Sequence, residues 1–170
     1  GLELELVIVD RETLDVRPIA DRVLFAASGN ESGDHANGRI SWSNELVRHV
    51  LELKSSLPER SLAGLADAFQ ENVRELNERL TPLGARLLPT GMHPWMDPRT
   101  ETELWPFEYA EVYRTYHELF DCHRHGWANL QSVHLNLSFG DDEEFGRLHA
   151  AARLVLPLVP ALAASSPLMG

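Results

Sequence analysis

Gly1-Leu2-Glu3-Leu4-Glu5-Leu6-Val7-Ile8-Val9-Asp10 alternates with a period of two, which predicts a β-strand. Leu2, Leu4, Leu6 and Ile8 share one face, and Glu3, Glu5, Val7 and Val9 share the other. Residues 10–14 have turn chemistry, and 15–19 read as a short hairpin partner. A second strand is expected over 49–54, with Leu51 and Leu53 opposite Val50, Glu52 and Lys54. A third, over 132–139, sets Val133, Leu135, Leu137 and Phe139 against His134, Asn136 and Ser138. A brief strand over 86–90 completes the set.

Between these strands the period changes. Ser61 opens a helix whose apolar positions Leu62, Leu65, Phe69, Val73, Leu76 and Leu80 form one stripe, with Gly84 just past its end. Residues 107–120 read as an aromatic-rich helix behind Pro106. Asp141 or Asp142 starts a last helix over 143–164, bent by Pro157 and Pro160, whose apolar stretch reads as a buried helix. Residues 28–38 and 91–106 read as loops, the first mobile and of the kind that closes over ligands. No repeat or internal boundary appears, so residues 1–170 read as one α+β domain: an antiparallel (mixed) sheet with helices packed on one face.

With 26 acidic and 15 basic residues the net charge is -11, which argues against nucleic acid and anionic membranes as partners. A nucleotide remains compatible, because a divalent cation bridges carboxylates to phosphates. No signal peptide and no apolar run of membrane-spanning length is evident, and the single Cys122 fits a reducing, cytoplasmic setting. The chain opens inside a strand and stops at a connection, so it is expected to be part of something longer.

The polar faces of the strands carry the chemistry. Glu3 and Glu5, then Glu52 with Glu45 upstream, then His134 and Asn136 present groups that suit Mg²⁺ or Mn²⁺. An alternating strand with Glu on one face is more often an amphipathic strand facing water, and only repetition across three strands argues for a site. Cys122, His123, His125 and His117 lack the paired short spacings of structural zinc. No phosphate-binding glycine motif is present, so a nucleotide would be held by metal and side chains.

Five stretches in order resemble one family. Gly1-Leu2-Glu3-Leu4-Glu5 with Val9-Asp10 looks like the opening strand of the glutamate–cysteine ligases, carboxylate–amine ligases related to glutamine synthetase. Asn44-Glu45-Leu46 through Val50-Leu51-Glu52-Leu53 resembles that family's second acidic motif, and Thr90-Gly91-Met92-His93-Pro94-Trp95 its Gly-x-His-Pro turn. Ser132-Val133-His134-Leu135-Asn136-Leu137 resembles its His-bearing strand, with Asn136 where many members carry a second His. Ala164-Ser165-Ser166-Pro167 with Gly170 resembles its Ser-Pro motif.

The resemblance implies the N-terminal part of a longer, glutamine synthetase-like catalytic domain. It implies an ATP-dependent enzyme of glutathione biosynthesis that joins the glutamate γ-carboxylate to the cysteine amine through an acyl phosphate. Carried over by position, Glu3, Glu5, Glu45, Glu52 and His134 are the metal ligands, and Arg99, His93 and Asn136 are candidates for substrate or nucleotide contact. Mg²⁺ (or Mn²⁺) is the expected cofactor and ATP the co-substrate. The expected partners are small molecules, with a homo-oligomer through an unpaired sheet edge. The alternatives are the same chemistry on another amino acid or peptide, or a non-catalytic fragment, since half a phosphate cage should not catalyse.

Overall fold

A computed structural model describes residues 1–162. Its elements are β1 (Leu2–Asp10), α1 (Ala20–Ser28), β2 (Asp34–Asn37), β3 (Ile40–Asn44), β4 (Val50–Ser55), α2 (Leu65–Leu80) and β5 (Ala85–Leu88). They are followed by α3 (Pro98–Glu101), α4 (Ala110–Phe120), α5 (His125–Ala128), β6 (Val133–Leu135), α6 (Asp142–Val155) and α7 (Val159–Leu162). The expected α+β architecture with an open antiparallel sheet is borne out. The Ser-Pro motif of residues 164–167 lies outside the described residues.

The sheet runs β2-β3-β4-β1-β5, and β6 joins the same edge of β1 as β5. β1 is central: β4 lies along one side, while β5 pairs with Val7–Asp10 and β6 with Leu2–Leu4 on the other. The register sets Glu5 opposite Glu52, Glu3 opposite both Lys54 and His134, and Ser43 opposite Glu52. The opposite face, with Leu6, Ile8, Leu51, Leu53, Ile40 and Trp42, is closed by Val23 and Leu24 of α1 and Leu65, Phe69, Leu76 and Leu80 of α2. A one-residue slip of β1 would put Glu3 and Glu5 under the helices and expose leucines worth about 1.5–3 kcal/mol each when buried. The core therefore fixes which way the carboxylates point.

The carboxylate face is partly covered as well. Val7 and Val9 pack against Val16 and Met96, and Val50 packs with Leu46, Val47, Cys122 and Ala128. These clusters leave the Glu3–Glu5–Glu52 region between them.

Several sequence expectations change. Residues 15–19 make only an isolated Val9↔Val16 bridge before entering α1. The presumed loop 28–38 contains β2, an edge strand turned onto β3 by Gly38 at φ +70°. Ser61 is not a helix cap: α2 begins at Leu65 behind Gly64, and the Ser61 hydroxyl accepts from the Ala63 N–H. The strand expected over 132–139 is regular only at Val133–Leu135, and the 107–120 helix starts at Ala110. Asp141 does cap α6, accepting from the Glu144 N–H at 2.8 Å. That helix is not buried. Leu154, Val155, Leu158 and Leu162 are exposed, and Asp142–Leu162 is long and apolar enough to cross a membrane by length and composition alone. The reading of no such run missed it because the helical path continues through both prolines: Pro157 sits in a 3₁₀ turn, Leu156–Leu158, and Pro160 in α7.

Candidate metal centre

Alternation along β1 and its pairing with β4 and β6 bring Glu3, Glu5, Glu52 and His134 onto one patch of sheet. Glu45 joins them from the turn after β3, where its Oε2 accepts the Leu46 N–H at 3.1 Å. Two sets of ligand atoms lie within 4.8 Å of one another: Glu3, Glu52 and His134, and Glu5, Glu45 and Glu52. Glu52 belongs to both, and it is buried. All five sequence-predicted ligands are thus brought together.

Neighbours aim the carboxylates. His134 Nδ1 lies 2.9 Å from Glu3 Oε2, and Asn136 Nδ2 donates to Glu3 Oε1 at 2.8 Å. With Nδ1 facing Glu3, His134 Nε2 points toward Glu5 Oε1, 3.8 Å away. The Ser132 N–H donates to Glu5 Oε2 at 2.8 Å, and Ser43 Oγ donates to Glu52 Oε2 at 2.7 Å. Such supporting bonds set ligand orientation. Lys54 Nζ sits 3.6 Å from Glu52 and 3.2 Å from Asp34.

Glu45 and Glu5 resist ionisation in this half-buried patch. Burial, then the neighbouring Glu5 and Glu52, push the Glu45 carboxyl from 4.5 up to about 7. Burial also raises Glu5, against the Ser132 N–H and His134, with Glu52 and Glu3 adding to the rise. Tyr113 is raised by burial and by Glu45, while the Asn44 side-chain amide donates to its hydroxyl at 3.0 Å. A bound cation would relieve this repulsion, and an oxygen-rich set with one imidazole fits a hard ion such as Mg²⁺ or Mn²⁺.

A cavity of about 240 Å³ opens beside Glu5 and Glu45, walled by Val47, Tyr113, Tyr116, Trp127 and Leu130. It joins anionic oxygens at one end to aromatic faces at the other.

The description Glutamate-cysteine ligase family 2 matches residues 1–170, the whole chain. The chain belongs to this family. Among similar proteins, an uncharacterized protein of Archaeoglobus fulgidus is 35% identical over 99% of the chain and 45% of its own length. Proteins named "Putative glutamate--cysteine ligase 2" from Bordetella avium and Corynebacterium glutamicum are 31% and 26% identical, each over 98% of the chain and over 38% and 41% of their own lengths. The chain spans less than half of each of these relatives.

Within this glutamate-cysteine ligase family 2 chain, two carried-over residues are not brought to the site. His93 is fully buried and spent on the scaffold: Nε2 lies 2.7 Å from the Leu14 carbonyl, and Nδ1 accepts the Trp95 and Met96 N–H groups. No ring nitrogen is left for a ligand, so His93 is a loop pin. Arg99 lies exposed on α3 and lines neither cavity beside the carboxylates. Asn136 supports Glu3 through its amide donor, which places it beside the ligands rather than among them. The His117 and His123 rings lie tilted with centroids 4.5 Å apart, outside these sets, and Cys122 is buried and free.

Sequence reasoning missed Ser43, Asp34 and Tyr113. Ser43 and Asp34 were hidden with the unrecognised β2–β3 hairpin, for which the Asn37-Gly38 pair was the available signal. Tyr113 falls within the aromatic-rich helix expected from the sequence, and only tertiary packing turns its hydroxyl toward Asn44 and Glu45.

Proposed function

We propose that this chain is the metal-binding part of an ATP-dependent carboxylate–amine ligase that joins the glutamate γ-carboxylate to the amine of cysteine. The observation that carries the reading is Glu52, buried and shared by two carboxylate sets on the sheet floor of a glutamate-cysteine ligase family 2 chain. A divalent cation held there would supply neutralising charge between the phosphates of ATP and an incoming carboxylate. The chain's own part is orientation. His134 and Asn136 hold Glu3, the Ser132 N–H holds Glu5, and Ser43 holds Glu52.

In the proposed reaction the carboxylate oxygen attacks the terminal phosphorus of ATP and ADP leaves. The amine nitrogen then attacks the acyl carbon, phosphate leaves with the oxygen, and the amine gives up a proton. The small cavity supports a place for the amine: Glu5 and Glu45 attract its ammonium, while Tyr116 and Trp127 offer aromatic faces to the cation and its short side chain. Buried, free Cys122 fits a reducing cytoplasm, which is part of the same proposal.

The test uses the full-length protein with ATP, Mg²⁺, glutamate and cysteine, and follows ADP release. The expected result is release that needs both amino acids. No ADP across a panel widened to other amino acids and short peptides would sink the reading, whereas ADP with a different pair would keep the chemistry and change the substrate.

A further inference from the structure

Of the 15 basic residues in the chain, 14 are arginine and one is lysine. That lysine is Lys54. β4 places it on the carboxylate face, two residues beyond Glu52 and opposite Glu3 of β1. Among the described residues, Lys54 is the one lysine or arginine paired with any of Glu3, Glu5, Glu45 and Glu52.

The ladder explains where its ammonium goes. Asp34, Ser43, Glu52 and Glu5 form one row across β2, β3, β4 and β1, and Lys54 belongs to the next row, between Ser41 and Glu3. Glu3 is already held by His134 and Asn136, and Lys54 leans into the neighbouring row instead. Its Nζ lies 3.6 Å from Glu52 Oε2 and 3.2 Å from Asp34 Oδ1. Glu52 is the buried side of this bridge, with its side chain 10% exposed, and Asp34 is the open side at 55%.

The choice of lysine has a chemical consequence. An ammonium is a compact charge on a flexible four-carbon stem, whereas a guanidinium grips a carboxylate with a rigid, two-pronged fork. A positive charge that must be present at one moment and gone at another is better carried by the stem. Glu52 is the carboxylate common to both ligand sets, so the group that neutralises it has to be removable. Asp34 gives the ammonium a second carboxylate to turn to, on the side that faces water. A chain that uses arginine at every other basic position uses lysine at this one.

Resting on the metal-dependent ligase reading above, we propose that Lys54 is a tethered counter-ion, which neutralises Glu52 before a divalent cation binds and then yields Glu52 by turning to Asp34. Lys54 is thus a positioning residue that sets how tightly the cation is held. Calorimetric titration of the full-length protein with MgCl₂ at pH 8 and physiological ionic strength tests it. Lys54→Met keeps the apolar stem and removes the charge. Mg²⁺ should then bind at least about fivefold tighter, the effect of one unit charge about 4 Å away in water. Lys54→Arg keeps the charge and should bind Mg²⁺ no tighter than wild type. Asp34→Asn removes the group to which the ammonium turns, and should weaken Mg²⁺ about fivefold in the wild type. In the Lys54→Met background the same change should matter less than about twofold, because salt screens the field of an exposed carboxylate. Without Mg²⁺, Lys54→Met should unfold at a lower midpoint than wild type, and saturating Mg²⁺ should close the gap. A lysine with a merely structural role would lose affinity or leave it unchanged on substitution. Wild-type or weaker Mg²⁺ binding by Lys54→Met would therefore overturn the counter-ion role and leave the ligase reading standing. Mg²⁺ that fails to bind the wild type at all would instead overturn the metal reading, and this role with it.

Discussion

Glu45 gives the sharpest test of the carboxylate patch, because its ionisation is tied to stability. Burial first, and then Glu5 and Glu52, lift its carboxyl from 4.5 to about 7. In the unfolded chain it ionises near 4.5, so between the two values the folded state holds a proton that the unfolded state has lost. Stability is therefore highest below pH 4.5 on this group's account and falls as pH rises toward 7. At about 1.4 kcal/mol per unit, the full loss is about 3 kcal/mol. Glu45→Gln keeps the shape and the carbonyl that accepts the Leu46 N–H, and removes the titration. Urea unfolding of wild type and variant from pH 5 to pH 8 should show the variant about 3 kcal/mol more stable at pH 8 and nearly equal at pH 5. Saturating Mg²⁺ at pH 8 should restore the wild type, by about 2.7 kcal/mol at one hundred times its dissociation constant, and do little for the variant. A variant with the wild-type pH slope would show that Glu45 is not the strained group. A variant as responsive to Mg²⁺ as the wild type would show that it is not a ligand.

Three further outcomes follow from the same geometry. Glu52→Gln retains the Ser43 hydrogen bond but removes the oxygen charge shared by both sets, so Mg²⁺ affinity by titration calorimetry should fall at least about hundredfold with the fold intact. His93→Leu breaks the bonds to Leu14, Trp95 and Met96 and should cost about 2–4 kcal/mol in urea unfolding, while the folded fraction binds Mg²⁺ normally; lost metal binding at full stability would contradict its role as a loop pin. Gly33→Ala would place a Cβ 2.2 Å from Asn44 Oδ1, and Asn44 holds the Tyr113 hydroxyl and the Glu45 carbonyl. It should cost about 1–3 kcal/mol and weaken Mg²⁺ as well, measured on the same two instruments.

Residues 2–9 and 50–54 were readable because their periods are clean and one face is buried under helices, and α2 was readable because its stripe has a single register. The β2–β3 hairpin was not, for a physical reason. Asp34-His35-Ala36-Asn37 has little intrinsic preference for a strand, and it is held by pairing with Trp42 and by Asn37 donating to Asn72 and Glu75 of α2. The α2 partners are distant in sequence. The metal candidates were readable one strand at a time, but their convergence depends on β6 reaching β1 across more than a hundred residues, which no local pattern encodes. His93 misled for the opposite reason: its Gly-x-His-Pro setting looked chemical, and burial shows both ring nitrogens committed to backbone.

The two faces of the sheet are one argument rather than two. Trp42, Leu51, Leu53, Leu6 and Ile8 could satisfy the helix layer with any small polar residue alternating between them. Glu3, Glu5 and Glu52 stand there instead, on paired strands, where like charges cost stability and Lys54 offsets only part of it. Packing demands the alternation and supplies the rigid spacing, while it gives no reason for carboxylates to face one another across a ladder. The proposed cation binding would supply one: repulsion stored at Glu5↔Glu52, with Glu45 beside them, would be released when positive charge arrives.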